Sequence, residues 1–194
     1  MVENKTKNNT LPGQSFLPVK TNPTERKKKK GSVSEYKKSL VEKQELKNLY
    51  GLSEKQFKKY VREALSQIRK VENVSDELIR LLEKRLDNVV FRLGFAKTRA
   101  QARQLVNHAY FLVNNKTVDI PSFQASRGDV ISIKENKKKK SVFENLSDIL
   151  KKAEAPSWLK LDKNNLSAEV TGEPSLAEAN PPVEISLIFE FYSR

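Results

Sequence analysis

From about residue 36 to residue 109 the apolar positions recur at helical spacing, and after that they alternate as in strands. Residues 35–50 carry Tyr36, Leu40, Leu46, Leu49 and Tyr50, an imperfect stripe that ends at Gly51. Glycine at that place suits the left-handed turn that often closes a helix. Ser53-Glu54-Lys55-Gln56 has the capping-box pattern, in which the serine oxygen takes a backbone N–H and the glutamine reaches back. Behind it Phe57, Tyr60, Val61, Ala64, Leu65 and Ile68 step by three and one, tracing one face of a second helix. Leu78, Ile79, Leu82, Leu86, Val89, Val90 and Leu93 keep that stepping from Ser75 to Gly94, which predicts a single third helix. A short turn, Phe95-Ala96-Lys97, leads to another capping box, Thr98-Arg99-Ala100-Gln101. The helix it opens has Ala102, Leu105, Val106 and Ala109 on its buried side.

The period then changes. Residues 110–120 hold two β-rich runs around Asn114-Asn115-Lys116, the pattern of a tight hairpin. Arg127-Gly128-Asp129 is a turn signal before a third strand with Val130, Ile131 and Ile133. Ser141 to Ala153 reads as a helix stopped by Pro156, and Leu166–Thr171 and Val183–Tyr192 as two more strands. The predicted fold class is α+β. A flexible basic arm covers residues 1–33 and an all-helical domain 34–84. A mixed domain with an antiparallel sheet covers 85–194, and its last strand is free to dock on the helical domain instead.

Charge adds direction to this frame. The 194 residues carry a formal net charge of +13, distributed as +7 over residues 1–40, +4 over 41–70, +4 over 71–150 and −2 over 151–194. Lys and Arg gain by displacing counterions from phosphates, so the excess predicts a polyanionic partner facing the N-terminal half. With no Cys and only one His, disulfide scaffolds, thiol nucleophiles and Cys- or poly-His-ligated metals are excluded. No apolar run approaches the ~20 residues of a membrane span, and Met1–Thr10 has no apolar signal core. A soluble, intracellular, basic protein is expected.

Positive side chains cluster where helix, turn and helix precede the strands: Arg85, Arg92, Lys97, Arg99 and Arg103, with Asn88, Thr98, Gln104 and His108 beside them. The planar guanidinium fork suits phosphate, and a helix start at Thr98 adds backbone donors. Few aromatics are placed to stack single-stranded bases, so structured RNA read by shape and backbone is the expected target. The run Arg26, Lys27, Lys28, Lys29 and Lys30 reads as a phosphate-binding arm or a solvated linker. On the first two helices Lys43, Lys47, Lys55, Lys58, Lys59 and Arg62 offer either a phosphate surface or a solvated face; periodicity leaves both open. Lys137–Lys140 is a second basic run suited to RNA contact.

The stretch from Arg85 to His108 closely resembles the signature of the bacterial small-subunit ribosomal protein S-four family. The likeness continues through Val113-Asn114, Val118, Ile120-Pro121-Ser122 and Gly128-Asp129. Upstream it includes Leu49-Tyr50-Gly51, Gln56-Phe57 and Tyr60, and downstream Trp158-Leu159 and the terminal Glu190–Arg194. It spans roughly residues 34–194. The resemblance implies a structural constituent of the small ribosomal subunit, cytoplasmic and within the ribosome. Such a protein binds small-subunit ribosomal RNA, nucleates assembly of the 5′ domain and supports decoding accuracy near the channel by which messenger RNA enters. It implies ribosomal proteins three and five as neighbours, messenger RNA nearby, and an RNA-binding motif at about residues 85–135. The family's basic positions carry over to Arg85, Arg92, Thr98, Arg99, Arg103 and His108. Family members commonly begin with a longer segment, in some cases bearing a zinc-binding Cys cluster, and this chain is expected to lack most of it. Asn115 and Ala109 stand where the family often has Gly.

Enzymatic function is not expected. His108 lacks an evident partner or pocket for general-base work, and Asp76, Glu83 and Asp87 read as surface residues suited to i,i+4 ion pairs. Trp158 reads as core. No cofactor, metal, membrane contact or homo-oligomer is expected. The alternative is a free-standing structured-RNA-binding regulator of translation.

Overall fold

The computed structural model describes residues 34–143, 146, 149–150 and 155–193. Helix α1 (Glu35–Leu49) starts where the Ser34 hydroxyl accepts the Lys37 N–H at 3.3 Å. It ends in a Schellman arrangement: Gly51, at φ +61°, donates to Asn48 O, and Leu52 donates to Lys47 O. Helix α2 (Glu54–Ser66) opens with the capping box read from the sequence, Ser53 Oγ and Gln56 Oε1 serving each other's backbone N–H. Helix α3 (Val74–Glu83) follows.

The helix expected from Ser75 to Gly94 is in fact two, α3 and α4 (Leu86–Arg92), broken at Lys84-Arg85. The apolar stepping runs through the break, which hides it from a periodicity reading. Arg85 falls on the apolar stripe, three residues after Leu82. It leaves the helical region (φ −62°, ψ 135°) and forms an isolated bridge with Gln124. The loop at 121–125 repairs the broken ladder. Leu86 N–H donates to Phe123 O (2.8 Å), Asp87 N–H to Pro121 O (3.2 Å) and Ala125 N–H to Lys84 O (2.8 Å).

Helix α5 (Arg99–Asn107) is capped by Thr98, whose hydroxyl accepts the Gln101 N–H at 3.1 Å. The reciprocal bond goes one residue further out, from Lys97 N–H to Gln101 Oε1 (2.8 Å). Ala109 (φ +54°) takes the left-handed position after α5. Strands β1 (Phe111–Val113) and β2 (Lys116–Thr117) form the expected hairpin. Asn114 and Asn115 both have positive φ, as a two-residue turn of the primed type requires. With β3 (Val130–Ile133), β4 (Leu159–Asp162) and β5 (Ser167–Val170) they make an antiparallel sheet in the order β2-β1-β3-β5-β4. The α+β class holds. Strand β4 escapes sequence reading because it is a short edge strand with charged Lys160 and Asp162 facing out. Of the helix expected from Ser141, Ser141–Phe143 forms a single 3-10 turn, and Phe143, Leu146 and Leu150 are buried; residues 144–145, 147–148 and 151–154 fall outside the described residues.

The last predicted strand is a helix, Ile185–Ser193. Val183, Ile185, Leu187, Phe189 and Phe191 alternate as a strand would. Yet Ile185, Ile188 and Tyr192 also share a helical face, and that face finds partners. Ile185 and Ile188 are buried with Leu46, Phe57, Val61, Leu78 and Leu82 in a core made by α1–α3. Tertiary burial has overridden local β preference. A second core lies between α4, α5 and one face of the sheet, with Leu86, Val90, Leu105, Val106, Phe111, Ile131, Ala168 and buried Trp158. Among the described residues no helix is long and apolar enough to cross a membrane.

Candidate nucleic-acid interface

The break at Arg85 decides how the arginines are arranged. Two residues apart on one helix, Arg85 and Asp87 would point in different directions. With Arg85 extended they form a bidentate pair, Nε to Oδ1 at 3.0 Å and Nη2 to Oδ2 at 2.8 Å. Arg85 Nη1 donates to Tyr60 Oη at 2.7 Å. From α5, Arg103 reaches the same carboxylate, Nε and Nη2 lying 3.0 and 2.8 Å from Asp87 Oδ2. Arg103 also donates to the carbonyls of Tyr50 (3.2 Å) and Gly51, which fastens α5 to the end of α1.

Glu83 organises the other half. Its carboxylate, 1% exposed, receives four donors: Tyr50 Oη (2.6 Å), Asn88 Nδ2 (2.7 Å), and Arg92 Nε and Nη2 (2.8 and 2.7 Å). Asn88 Nδ2 also donates to Glu83 O, which leaves Asn88 Oδ1 to accept Arg99 Nε at 2.9 Å. The Arg99 guanidinium carbon sits 4.9 Å from the Tyr50 ring centroid and 4.5 Å from that of Phe91. It is therefore braced by two aromatic faces and an amide.

Charge is unevenly matched in this cluster. Four arginines meet two carboxylates, Glu83 and Asp87. Arg85, Arg92 and Arg103 are ion-paired. Among the described residues no carboxylate lies within 4 Å of Arg99. Burial alone would raise the Glu83 pKa, but the hydrogen bonds and charge of Arg92, with the Tyr50 and Asn88 bonds, hold it below the ordinary glutamate range. The Tyr50 hydroxyl is pushed up by burial and then by the Glu83 charge. Burial lowers the Arg99 pKa from its ordinary value, so its charge is held with the least local compensation of the four. A partly exposed guanidinium stacked in this way suits a phosphate oxygen.

The sequence-predicted residues divide sharply. Arg85 is 1% exposed and its donors are spent inside, so it builds the cluster and cannot contact RNA. Lys43, 5% exposed, is likewise internal: it pairs with Glu54 at 2.9 Å and covers the Phe191 ring. Lys47 also leans on Glu54, at 3.5 Å, and Tyr192 Oη donates to Glu54 at 2.7 Å. Arg92 and Arg103 are partly exposed but engaged. Lys97, Thr98, Gln104 and His108 are exposed along the turn and α5, with Gln104 and His108 one helical turn apart and His108 at the C-cap. On α2, Lys55, Lys58, Lys59 and Arg62 are exposed at i, i+3, i+4 and i+7, a single face. No carboxylate lies within 4 Å of them among the described residues. Arg26 and Lys27 to Lys30 lie outside the described residues. In the second basic run Lys137 covers the Tyr110 ring, Lys138 pairs with Glu135 at 2.5 Å, and Lys139 and Lys140 are exposed.

Tyr50, Tyr60 and Asn88 hold the cluster together in ways that spacing does not reveal. Glu83 and Asp87, expected on the surface, are buried. Their arginine partners are not at i,i+4 but up to sixteen residues away. The available signal was a dense run of arginines on otherwise apolar helices, which needs buried counter-charge.

Comparison with known proteins gives a consistent picture. A model described as "S4 domain" matches residues 84–131, and one described as "Ribosomal protein S4/S9 N-terminal domain" matches residues 6–83. The second match begins well before residue 34, so the family pattern extends through the basic run, beyond the span over which the motifs carry the resemblance. The chain is 47% identical over 166 residues to the small ribosomal subunit protein uS4 of Persephonella marina, covering 85% of this chain and 80% of that protein. It is 44% identical over 181 residues to the uS4 protein of a Sulfurihydrogenibium species (93% and 86%). With the Corynebacterium glutamicum protein it shares 45% over 161 residues (83% and 79%).

Proposed function

The chain belongs to the ribosomal protein S4 family, a structural and non-enzymatic family of the small ribosomal subunit, and from that premise we propose that it binds small-subunit ribosomal RNA directly through the arginine-bearing face of α4, the turn and α5. On this reading it is a primary binder that nucleates assembly of the 5′ domain and supports decoding accuracy near the channel by which messenger RNA enters. Its neighbours there are ribosomal proteins three and five, and its compartment is the cytoplasm. The observation that supports the RNA-binding surface is Arg99. It is stacked, oriented and locally uncompensated, and exposed Lys97, Thr98, Gln104 and His108 lie on the same turn and helix. Lys55, Lys58, Lys59 and Arg62 supply a second, solvent-exposed source of positive charge.

The test is binding of the full chain to a deproteinised transcript of the small-subunit 5′ domain, compared with an unrelated RNA of equal length at matched salt. Preference for the 5′ domain supports the proposal, and equal affinity overturns it. Sedimentation separates the alternative: a ribosomal constituent comigrates with small subunits at moderate salt, whereas a free-standing regulator stays at the top of the gradient.

A further inference from the structure

Glu83 is a negative charge set among the groups that face a polyanion, and simple electrostatics would count it against RNA binding. Its bonding says otherwise. Both carboxylate oxygens are saturated, and two of the four donors are the groups that position Arg99. Tyr50 offers a ring face to the guanidinium while its hydroxyl is fixed on Glu83 Oε1. Asn88 presents Oδ1 to Arg99 Nε only because its amide nitrogen is taken by Glu83. Arg99 has no acidic partner of its own among the described residues, so its aim depends on neutral groups that a neighbouring carboxylate sets.

We propose that Glu83 is a positioning residue for RNA binding, acting through Tyr50 and Asn88 to fix the guanidinium of Arg99 towards a phosphate. This inference rests on the RNA-binding reading above and assigns a role that the reading leaves open. The chain of contacts runs from α3, through the first turn of α4 and the C-cap of α1, to the first residue of α5. It therefore joins the helical core to the turn. Glu83→Gln leaves the side chain's size intact. It replaces one acceptor oxygen by an NH2 group: at Oε2 this opposes the Asn88 amide and Arg92 Nε, and at Oε1 the Tyr50 hydroxyl and Arg92 Nη2. In either orientation one of the two groups that aim Arg99 loses the acceptor that fixes it.

The test is a double-mutant cycle read by affinity for the 5′-domain transcript at matched salt. Glu83→Gln is expected to weaken binding about tenfold, the scale of one lost hydrogen bond involving a charged group, although it makes the chain more positive. On an Arg99→Ala background the same change is expected to have almost no further effect. A purely structural or electrostatic role would not give that: it predicts effects that add, or a gain from removing the negative charge. Additive losses, or unchanged or tighter binding, overturn the proposal. If Glu83→Gln fails to fold, Tyr50→Phe takes its place, since it removes only the hydroxyl that ties the ring to Glu83. Its expected loss is roughly two- to fivefold, again absent on the Arg99→Ala background, and an additive or null result overturns the proposal equally. Failure of the unmodified chain to prefer the transcript is a different outcome, because it removes the RNA-binding reading itself.

Discussion

The cluster around Glu83 and Asp87 and the outer face of α2 contain the same kind of residue used in opposite ways. At the cluster, Arg85 is buried, every fork is oriented, and two carboxylates offset half the charge of four arginines. On α2, Lys55, Lys58, Lys59 and Arg62 stand in solvent on a helix whose other face fills a core. A buried charge is strongly destabilising once its partner is removed, whereas an exposed one costs little to remove. The first region therefore uses its charge to fix shape and keeps a small, directed remainder at Arg99. The second keeps all its charge but fixes no geometry. Net charge alone would rank both as RNA-binding surface. Burial and hydrogen bonding separate the part whose geometry is fixed from the part whose charge stands free in solvent.

The cluster should respond most strongly to the loss of a buried carboxylate. Asp87→Ala leaves Arg85 buried without its carboxylate and frees Arg103, and should cost about 3–5 kcal/mol of stability in thermal or denaturant unfolding. A loss below about 1 kcal/mol would show that the cluster is not the joint described. For the same reason Arg103→Glu is a poor probe of RNA binding: it sets a second acid against Asp87 and cuts the ties to Tyr50 and Gly51.

Acid titration sharpens the same point. Glu83 is held below its ordinary range in the folded protein, so its stabilisation is fully present above the unfolded glutamate pKa. It disappears as pH falls through the lower folded value. The stability gap between the unmodified chain and Glu83→Gln should be widest near neutrality and shrink below about pH 4. A gap that does not vary with pH would deny that the carboxylate is ionised in the fold.

The α2 face predicts the reverse pattern. Lys58→Gln with Lys59→Gln should leave stability within about 0.5 kcal/mol. The slope of log affinity against log salt should flatten by roughly one for each phosphate that is no longer neutralised. Deleting residues 1–33 should likewise flatten the slope, since five consecutive cations at 26–30 go with it. An unaltered slope in either case would show that the charge removed is not engaged.

Much of the frame was legible because local chemistry decided it. Gly51, the box at Ser53–Gln56, the cap at Thr98 and the Asn114-Asn115 turn are each set by one or two residues, and each is where the spacing places it. Apart from the short charged edge strand β4, the misses share a physical cause, which is that they depend on partners far along the chain. The break at Arg85 follows from Asp87, Tyr60 and a loop near Gln124. The helix Ile185–Ser193 follows from a groove offered by α1–α3. The arginine-rich stretch was visible as a cluster, but which arginines face out was not. That is decided by Glu83 and Asp87, whose burial no spacing rule exposes.

If the turn before α5 lies against the RNA, as proposed, the absence of cysteine allows a direct test. A single Lys97→Cys change can carry a tethered hydroxyl-radical source, with Lys160→Cys on the outward side of edge strand β4 as the comparison. On complexes of the full chain with small-subunit ribosomal RNA, focused backbone cleavage is expected from position 97 within the 5′ domain and much weaker cleavage from position 160. Equal cleavage from both, or none from position 97 in a complex that forms normally, would contradict that placement.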